Sequence, residues 1–324
     1  MPLVLLAIAG VILAVPETAE PRGHRLDLAG ILLVALALVT IVDAIIKAPA
    51  RSWTAGLTLA DGGTGVAALG GFIWWELRAV HPLIDLRIFA NRAFSASAAS
   101  VSVTFFSLFG SLFVLTQYLQ LVHGYSPLAA GVRVLPFALA MGAVSPLSPV
   151  LAQRLGLRLI IAAGMALMGL GLLGLSAASV DTSYPTLGAA VAIMGAGMGL
   201  VMAPASTTIM STVPSHQAGA GSAINDTIRE VGGTLGIAVI GSISAAAYSS
   251  RLGGMLHAAH VPSAITHVAA GSIAAADLAG GRAGGTAGAE LISAAHLAFA
   301  HAMSVGLQGG TADLPGRLRK DDDF

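Results

Sequence analysis

Residues 125–149 read YSPLAAGVRVLPFALAMGAVSPLSP, an almost wholly apolar segment that contains four prolines and one arginine. A helix needs roughly 20 mostly apolar residues to cross the hydrocarbon core of a bilayer. Residues 127–151 reach that length. Because lipid offers the backbone no hydrogen-bond partners, the segment predicts a membrane-spanning helix with an arginine between two prolines.

The whole chain has the same apolar character. Of its 324 residues, 56% are hydrophobic and 10% are charged, whereas a soluble domain carries about 25% charged residues. The 16 Lys and Arg balance the 16 Asp and Glu, so no bulk positive field would recruit nucleic acid. The lack of cysteine excludes disulfides and thiolate chemistry. We expect a multi-pass protein of the plasma membrane with the lipid bilayer as its first partner.

The fold class that this composition predicts is an all-α, polytopic helical membrane protein with about eight spans. The predicted spans lie near residues 3–15 (short), 28–47, 57–77 (weakly apolar), 94–120, 127–151, 158–178, 185–210 and 229–250, and a partial ninth at 291–307 stays open. Residues 251–290 are rich in Ala, Gly, Ser and His, which favours a long, poorly ordered external loop before an eroded last helix and a polar tail.

Basic residues in the loops test this layout. With the N-terminus outside, the inside segments carry Arg22, Arg25, Arg78, Arg87, Arg92, Arg154, Arg158, Arg229, Arg317, Arg319 and Lys320. The outside segments carry Lys47, Arg51, Arg251 and Arg282. This bias agrees with the positive-inside tendency.

Three stretches carry a family resemblance: HPLIDLRIFANRAFSAS (81–97), SPLAAGVRVLP (126–136) and APASTTIMSTVPSHQAGAGSAINDTIREVGGTLGIAVIGS (203–242). Together they resemble the C-terminal half of the fourteen-span drug:proton antiporters of the EmrB/QacA type in the major facilitator superfamily. The resemblance runs in order over about residues 1–250. It implies proton-driven export of small amphipathic molecules by two helical bundles around a central cavity, with no cofactor.

The resemblance also divides the chain. Residues 1–27 resemble the end of the family's sixth span and its inner loop, 28–93 the two inserted helices and the following loop, and 94–250 the C-terminal bundle; residues 251–324 form the last segment. A degenerate loop motif survives as SPVLAQRLGLR (148–158), in which Gln153 stands where the motif has its acid. Counterparts of the family's N-terminal bundle are missing from the sequence, so we expect about half of a transporter.

Arg133 and Pro136 are the first candidates for a substrate path. With a helix start near Pro127, a rise of roughly 1.5 Å per residue puts the Arg133 backbone about 9 Å inside the bilayer. At that depth the guanidinium can reach the outer rim, or it can face a cavity and bind anionic or polar groups. Both alternatives stay open. Pro136 is interior, so we expect it to kink the helix.

Four more polar residues are candidates near the ends of the bundle. Gln117 and Tyr118 lie near the outer end of the fourth span, either at the rim or on the substrate path. Asn225 and Arg229, with neighbouring acids, crowd the predicted inner entrance of the eighth span, where amides and acids cap helices. We expect a structural or gating ion-pair cluster there.

Asp43 and Asp61 are the candidates for a proton relay. Asp43 precedes Lys47 by one helical turn, so an i,i+4 ion pair is the alternative for it. Asp61 begins the weakly apolar third span and has an interfacial position as its alternative.

Glycines spaced four residues apart predict close helix packing: Gly195 with Gly199, and Gly232 with Gly236. The same spacing suits a mobile seam between helices, and sequence does not separate the two. We expect no metal site, since the histidines at 257, 260 and 267 lack carboxylates at matching spacing, and no enzyme, because no phosphate loop, nucleophile elbow or HExxH motif occurs.

Two functions of different class follow. The first is drug or multidrug efflux by a half-size transporter, acting as a homo-oligomer or with a separate N-terminal half on small amphipathic substrates and protons. The second is a non-transporting membrane protein, either truncated or docked on a full-length transporter.

Overall fold

The computed structural model describes residues 27–79, 82–213 and 218–309, together with three single positions, 4, 10 and 13. The described residues form eleven α-helices and no strand: α1 (Leu28–Arg51), α2 (Gly56–Glu76), α3 (Arg92–Gln117), α4 (Pro127–Val144), α5 (Ser148–Leu155), α6 (Leu157–Ser176), α7 (Tyr184–Thr212), α8 (Ala218–Ala258), α9 (Ser263–Gly271), α10 (Ile273–Ala283) and α11 (Gly285–Leu307). A short 3-10 helix, Leu86–Ala90, precedes α3, and a π-helical turn, Tyr118–Val122, follows it. The all-α membrane fold is confirmed.

Several helices begin at residues that suit a helix start. The Asp27 carboxylate accepts a hydrogen bond from the Gly30 amide at 2.9 Å, and the Asn91 side chain accepts one from the Ala93 amide at 2.9 Å. Ser126 caps α4, whose first residue is Pro127. These side chains satisfy amides that have no partner inside the helix.

Seven described helices are long and apolar enough to cross a membrane. They are α1, α3 with its π-helical turn, α4, α6, α7, α8 from Gly221 onward, and α11. The predicted third span, 57–77, forms α2 but is not among the seven, because its many glycines add little hydropathy. The predicted span at 3–15 lies outside the described residues apart from three positions.

The helices of the bundle pack against one another in pairs. Helix α3 lies against α8, α6 against α7, α4 against α7, and α11 against α8. Helices α1 and α2 form a hairpin beside them, and α1 reaches the bundle along α8, where the Ser242 hydroxyl donates to the Ile45 carbonyl at 2.8 Å.

The region after residue 250 differs from the expectation of a poorly ordered loop. Helix α8 continues to Ala258, and α9 and α10 fill most of the stretch up to 283. Alanine is the best helix former, and it dominates this stretch although its hydropathy is modest. The last helix is also longer than the predicted 291–307, since α11 starts at Gly285. The division into segments at residues 27, 93 and 250 stays a prediction.

Candidate functional site

An aromatic cluster surrounds Arg133 at the end of the bundle that the charge bias assigns to the outside. The Arg133 guanidinium carbon lies 3.6 Å from the centre of the Tyr125 ring and 5.4 Å from that of Tyr184. Its Nη1 donates to the Ala129 carbonyl one turn earlier in α4, at 3.1 Å. Cation–π attraction to the two rings stabilises the guanidinium charge, and the choice between the rim and the cavity alternatives stays a prediction.

No carboxylate among the described residues lies within ion-pair distance of Arg133. Its Nε is buried and has no hydrogen-bond partner in that part of the chain. Within the described residues, ring faces and a carbonyl oxygen are therefore the groups that offset the positive charge. Such a guanidinium keeps its capacity to bind an anionic or strongly polar group.

Tyr118 extends this cluster towards α6 and α7. The fully buried Tyr118 side chain donates its hydroxyl proton to the Ser179 carbonyl, and His123 Nε2 lies 3.1 Å from the same hydroxyl. The His123 ring in turn stacks on Tyr125, with centroids 5.5 Å apart. Burial, together with the nearby Arg133 and His296, lowers the pKa of His123. Tyr118 opens the π-helical turn, and such turns are frequent at functional sites.

Gln117 and Pro136 take less part in this cluster. The Gln117 amide donates to the Phe113 carbonyl of its own helix at 3.3 Å. Pro136 lies inside α4, one turn beyond Arg133. Helix α4 buries only Ala130 and Phe137, while Leu128, Val132, Leu135 and Leu139 are exposed. Most of the α4 surface is thus open to lipid or to another part of a transporter.

A second polar cluster lies near the opposite end of the bundle. Arg229 on α8 donates to Asp226 at 3.4 Å and to the Ser206 hydroxyl of α7 at 3.1 Å. Its guanidinium is 5.7 Å from the Phe105 ring of α3. Asn225 is buried, and its Oδ1 has no hydrogen-bond partner among the described residues. Arg229 therefore joins three helices.

The position of this cluster corrects one expectation. We expected Asn225 and its neighbours to cap the start of a span near 229, but α8 begins at Ala218. Asn225 and Asp226 are internal to the helix and cap nothing. The Asp226 carboxylate pairs with Arg229 within α8, and the Asn225 side chain is buried.

Two pairs of glycines bring helix backbones together. A Cβ on Gly195 would lie 2.2 Å from the Phe137 carbonyl oxygen, and one on Gly199 would lie 3.0 Å from that of Met141. We call this α4–α7 contact the arginine-133 seam. A Cβ on Gly232 would lie 2.4 Å from the Ser102 carbonyl oxygen, and one on Gly236 would lie 2.1 Å from that of Phe106. This α3–α8 contact is the arginine-229 seam.

The two candidate relay acids are both in ion pairs on the α1–α2 hairpin. Asp43 pairs with Lys47 at i,i+4 spacing, and Asp61 pairs with Arg51 at 3.3 Å. All four side chains are partly exposed. The structure does not bring these carboxylates together with Arg133 or Arg229.

A comparison with protein-family models identifies the family of this chain. The model described as Major Facilitator Superfamily matches residues 1–237. The chain belongs to the major facilitator superfamily. This member therefore lies in the plasma membrane as a multi-pass helical protein.

Named relatives in the superfamily are resistance and export proteins. The chain is 36% identical over 238 residues to the multidrug resistance protein Stp of Mycobacterium tuberculosis, covering 74% of this chain and 44% of Stp. It is 33% identical over 246 residues to the tetracenomycin C resistance and export protein of Streptomyces glaucescens, covering 76% and 45%. It is 31% identical over 255 residues to the methyl viologen resistance protein SmvA of Salmonella typhimurium, covering 78% and 51%.

This superfamily member spans about half the length of those relatives, between 44% and 51%. The matched residues include all six candidates for the path or gate and both glycine pairs. Helices α9 to α11 lie beyond residue 237, where the family match ends.

The unmatched helices hold polar groups that sequence reasoning missed. Asp277 on α10 pairs with His296 on α11 at 3.1 Å. A cavity of about 400 Å³ opens beside this pair, lined by Val180, Ala289, Ile292, Ser293, His296 and Leu297. Burial raises the pKa of Asp277, and His296 partly opposes that shift. The two residues are 19 positions apart, so no local spacing reveals them. No group of three or more potential metal ligands occurs in the described ranges.

Proposed function

We propose that this chain provides the C-terminal bundle of a proton-driven exporter of small amphipathic molecules. The observation that carries the proposal is the ordered match of residues 1–237 to the superfamily, with relatives named for resistance and export. Transporter sites of this kind lie between two repeats. The other repeat would come from a longer chain, a separate N-terminal half or a second copy.

Within this proposal, the two arginine clusters are the gates of the bundle. Arg133 with Pro136, Gln117 and Tyr118 would form the outer gate, and Asn225 with Arg229 the inner one. The unpartnered Arg133 Nε and Asn225 Oδ1 support these roles, since buried polar atoms without partners suit a contact made in only one conformation.

Asp43 and Asp61 fit a proton relay less well than the sequence alone predicts. Both acids are partly exposed and form ion pairs with basic residues of the same hairpin, away from both arginine clusters. We therefore assign them to the α1–α2 hairpin in this proposal, and the relay stays a prediction.

The test is efflux from cells and from inverted membrane vesicles. The chain is expressed alone and together with the N-terminal half of Stp, and methyl viologen accumulation is followed while a pH gradient is imposed and collapsed. We expect gradient-dependent export in the paired sample, lost in Arg229→Ala and retained in the matched surface variant Arg282→Ala. Export in neither sample, with both chains present in the membrane, would favour the non-transporting alternative.

A further inference from the structure

Asp27 and Glu76 meet where the α1–α2 hairpin joins the loop that leads to α3. Asp27 precedes the first residue of α1, and Glu76 is the last residue of α2. The Asp27 carboxylate accepts from the Gly30 amide at 2.9 Å and from the Trp75 indole Nε1 at 2.9 and 3.0 Å. Both oxygens of the Asp27 carboxyl group are therefore hydrogen-bond acceptors.

Glu76 has a different environment. Its residue is only 3% exposed, and its Oε2 accepts from the Ile84 amide in the loop at 3.1 Å. Its Oε1 is fully buried and has no hydrogen-bond donor among the described residues. A buried carboxylate oxygen without a donor is costly when the group is ionised.

Gly30 shows that this unpartnered oxygen faces Asp27. A Cβ on Gly30 would lie 2.5 Å from Glu76 Oε1 and 2.6 Å from Asp27 Oδ2. The two carboxyl groups therefore converge over the one residue of α1 that has no side chain. Two carboxylates that share a site cannot both ionise without a large penalty.

Basic side chains of the described residues do not pair with these two acids. In the described ranges, no Lys or Arg nitrogen lies within ion-pair distance of either carboxylate. Arg78 instead covers the Trp74 ring at 4.4 Å, and the Asp85 carboxylate accepts from the Arg87 amide at 3.0 Å. Arg87 and Arg92, on the elements that follow, form no ion pair with the two acids.

A metal cation fits this geometry poorly. Asp27 Oδ1 accepts two donors, Asp27 Oδ2 accepts the Trp75 indole, and Glu76 Oε2 accepts one amide, so Oε1 is the oxygen of the pair that has no donor among the described residues. Hard cations need about six oxygen ligands or more. A proton needs two oxygens, and a carboxylic acid on Oε1 would donate to Oδ2 and remove the unpartnered atom.

We propose that Glu76 and Asp27 share one proton, and that this protonated pair is a latch that fastens the α1–α2 hairpin to the loop before α3. The site binds its proton outside both arginine clusters, so it goes beyond the proposed export function and does not depend on it. On the charge bias, it lies on the inner side of the membrane.

The latch has a defined pH dependence. Burial raises the pKa of Glu76 above its ordinary 4.5, the Ile84 amide opposes this, and the Asp27 charge raises it further. A raised pKa in the folded state means that the protonated pair stabilises the fold fully below 4.5. That stabilisation is lost as the pH rises through the raised pKa.

Trp75 reports on the latch because its indole donates to Asp27. The variant Trp53→Phe, Trp74→Phe leaves Trp75 as the single tryptophan of the full chain, which is titrated in lipid nanodiscs while its emission is recorded. We expect a transition with a midpoint above 4.5. Infrared difference spectra across the transition should show the C=O band of a carboxylic acid disappearing as the pH rises.

Three further variants, added to the single-tryptophan chain, complete the test. Glu76→Gln keeps the shape and offers a donor to Asp27, so the low-pH emission should persist at every pH, and the difference spectrum should lack the part of the band that the parent loses across its transition. Asp85→Asn is the matched control on the exposed neighbouring loop and should titrate like its parent. Where Glu76→Gln fails to insert, Asp27→Asn takes its place and should also lose the transition.

Three results would overturn the latch. The first is a Glu76→Gln chain that titrates like its parent. The second is a parent chain without the carboxylic acid band below the midpoint. The third is a midpoint that moves with sodium concentration when choline is the counter-ion, which would assign the site to a cation.

Discussion

The arginine-133 seam and the arginine-229 seam use the same parts and differ in tightness. Each joins two helices through glycines four residues apart and carries one arginine. In the arginine-229 seam, Cβ atoms at both glycines would meet a carbonyl oxygen at 2.1 and 2.4 Å. On the facing helix α3, a Cβ on Gly110 would lie 2.7 Å from the Gly236 carbonyl oxygen. In the arginine-133 seam the approach relaxes from 2.2 Å at Gly195 to 3.0 Å at Gly199.

The two arginines differ in the same direction. Arg229 is fixed by an anion and a hydroxyl on two helices, whereas Arg133 is held by ring faces and a carbonyl of its own helix. One seam is closed by backbone contact and a charge pair. The other is looser, and its arginine has no carboxylate partner among the described residues. The contrast teaches that two helix pairs with the same glycine spacing can differ in how closely their backbones approach.

The largest expected effect compares alanine at the two seams. Gly236→Ala should destabilise the chain by about 1–3 kcal/mol, since the new methyl meets backbone that has no room to move. Gly199→Ala should cost less, because its nearest contacts begin at 3.0 Å. Thermal unfolding in detergent measures both. Gly169→Ala, where a Cβ meets nothing within 4 Å, is the control and should not destabilise. Equal losses of stability in Gly236→Ala and Gly199→Ala would contradict the difference in tightness between the two seams.

The second prediction concerns the cation–π contacts of Arg133. Arg133→Met should lower the free energy of unfolding by about 0.5–2 kcal/mol, and the loss should change little with salt because ring faces are the partners. A double-mutant cycle with Tyr125→Leu checks this: the second change should cost little once Arg133 is gone. Fully additive losses would show that the ring does not hold the guanidinium.

The third prediction is a pH dependence confined to the Arg133 end. The lowered pKa of His123 means that its stabilising contribution is fully present above 6.5 and is lost as the pH falls towards the lowered value. The thermal midpoint should therefore drop over that window, and His123→Gln should flatten the drop. His257→Gln, on an exposed stretch, is the matched control and should leave the curve unchanged.

The smallest expected effect is at the Arg229 end. Asp226→Asn should cost about 0–1 kcal/mol, since the Asp226 side chain is 63% exposed and exposed pairs are weak. The loss should shrink in high salt, in contrast to Arg133→Met. A salt-independent loss would show that Arg229 depends on burial more than on its charge partner.

Sequence predicted this fold well where long apolar runs made the signal. The predicted spans at 158–178 and 185–210 lie close to α6 (157–176) and α7 (184–212). It failed after residue 250, where alanine favours helix without raising hydropathy enough to mark a span. It also misplaced the start of α8, since the polar residues of INDTIRE resemble a helix cap and lie inside a helix that begins earlier.

The sequence predicted individual residues of the candidate site but not the contacts between them. Arg133 was singled out, but Tyr125 and Tyr184 are brought to it by two different helix ends that are 59 positions apart. Ser206 joins Arg229 across 23 positions, and Glu76 meets Asp27 across most of the α1–α2 hairpin. Contacts between residues so far apart in the sequence depend on how the helices pack. They leave no local spacing pattern from which a single sequence could predict them.

The arginine-229 seam has a consequence for how the chain enters the membrane. Its two faces, Ser102 on α3 and Gly232 on α8, are 130 positions apart in the sequence. At a synthesis speed of about 5–20 residues per second, α3 waits roughly 7 to 26 s for its partner after leaving the ribosome. Throughout that interval lipid or an insertion chaperone has to fill the groove on α3 into which the glycines of α8 later pack.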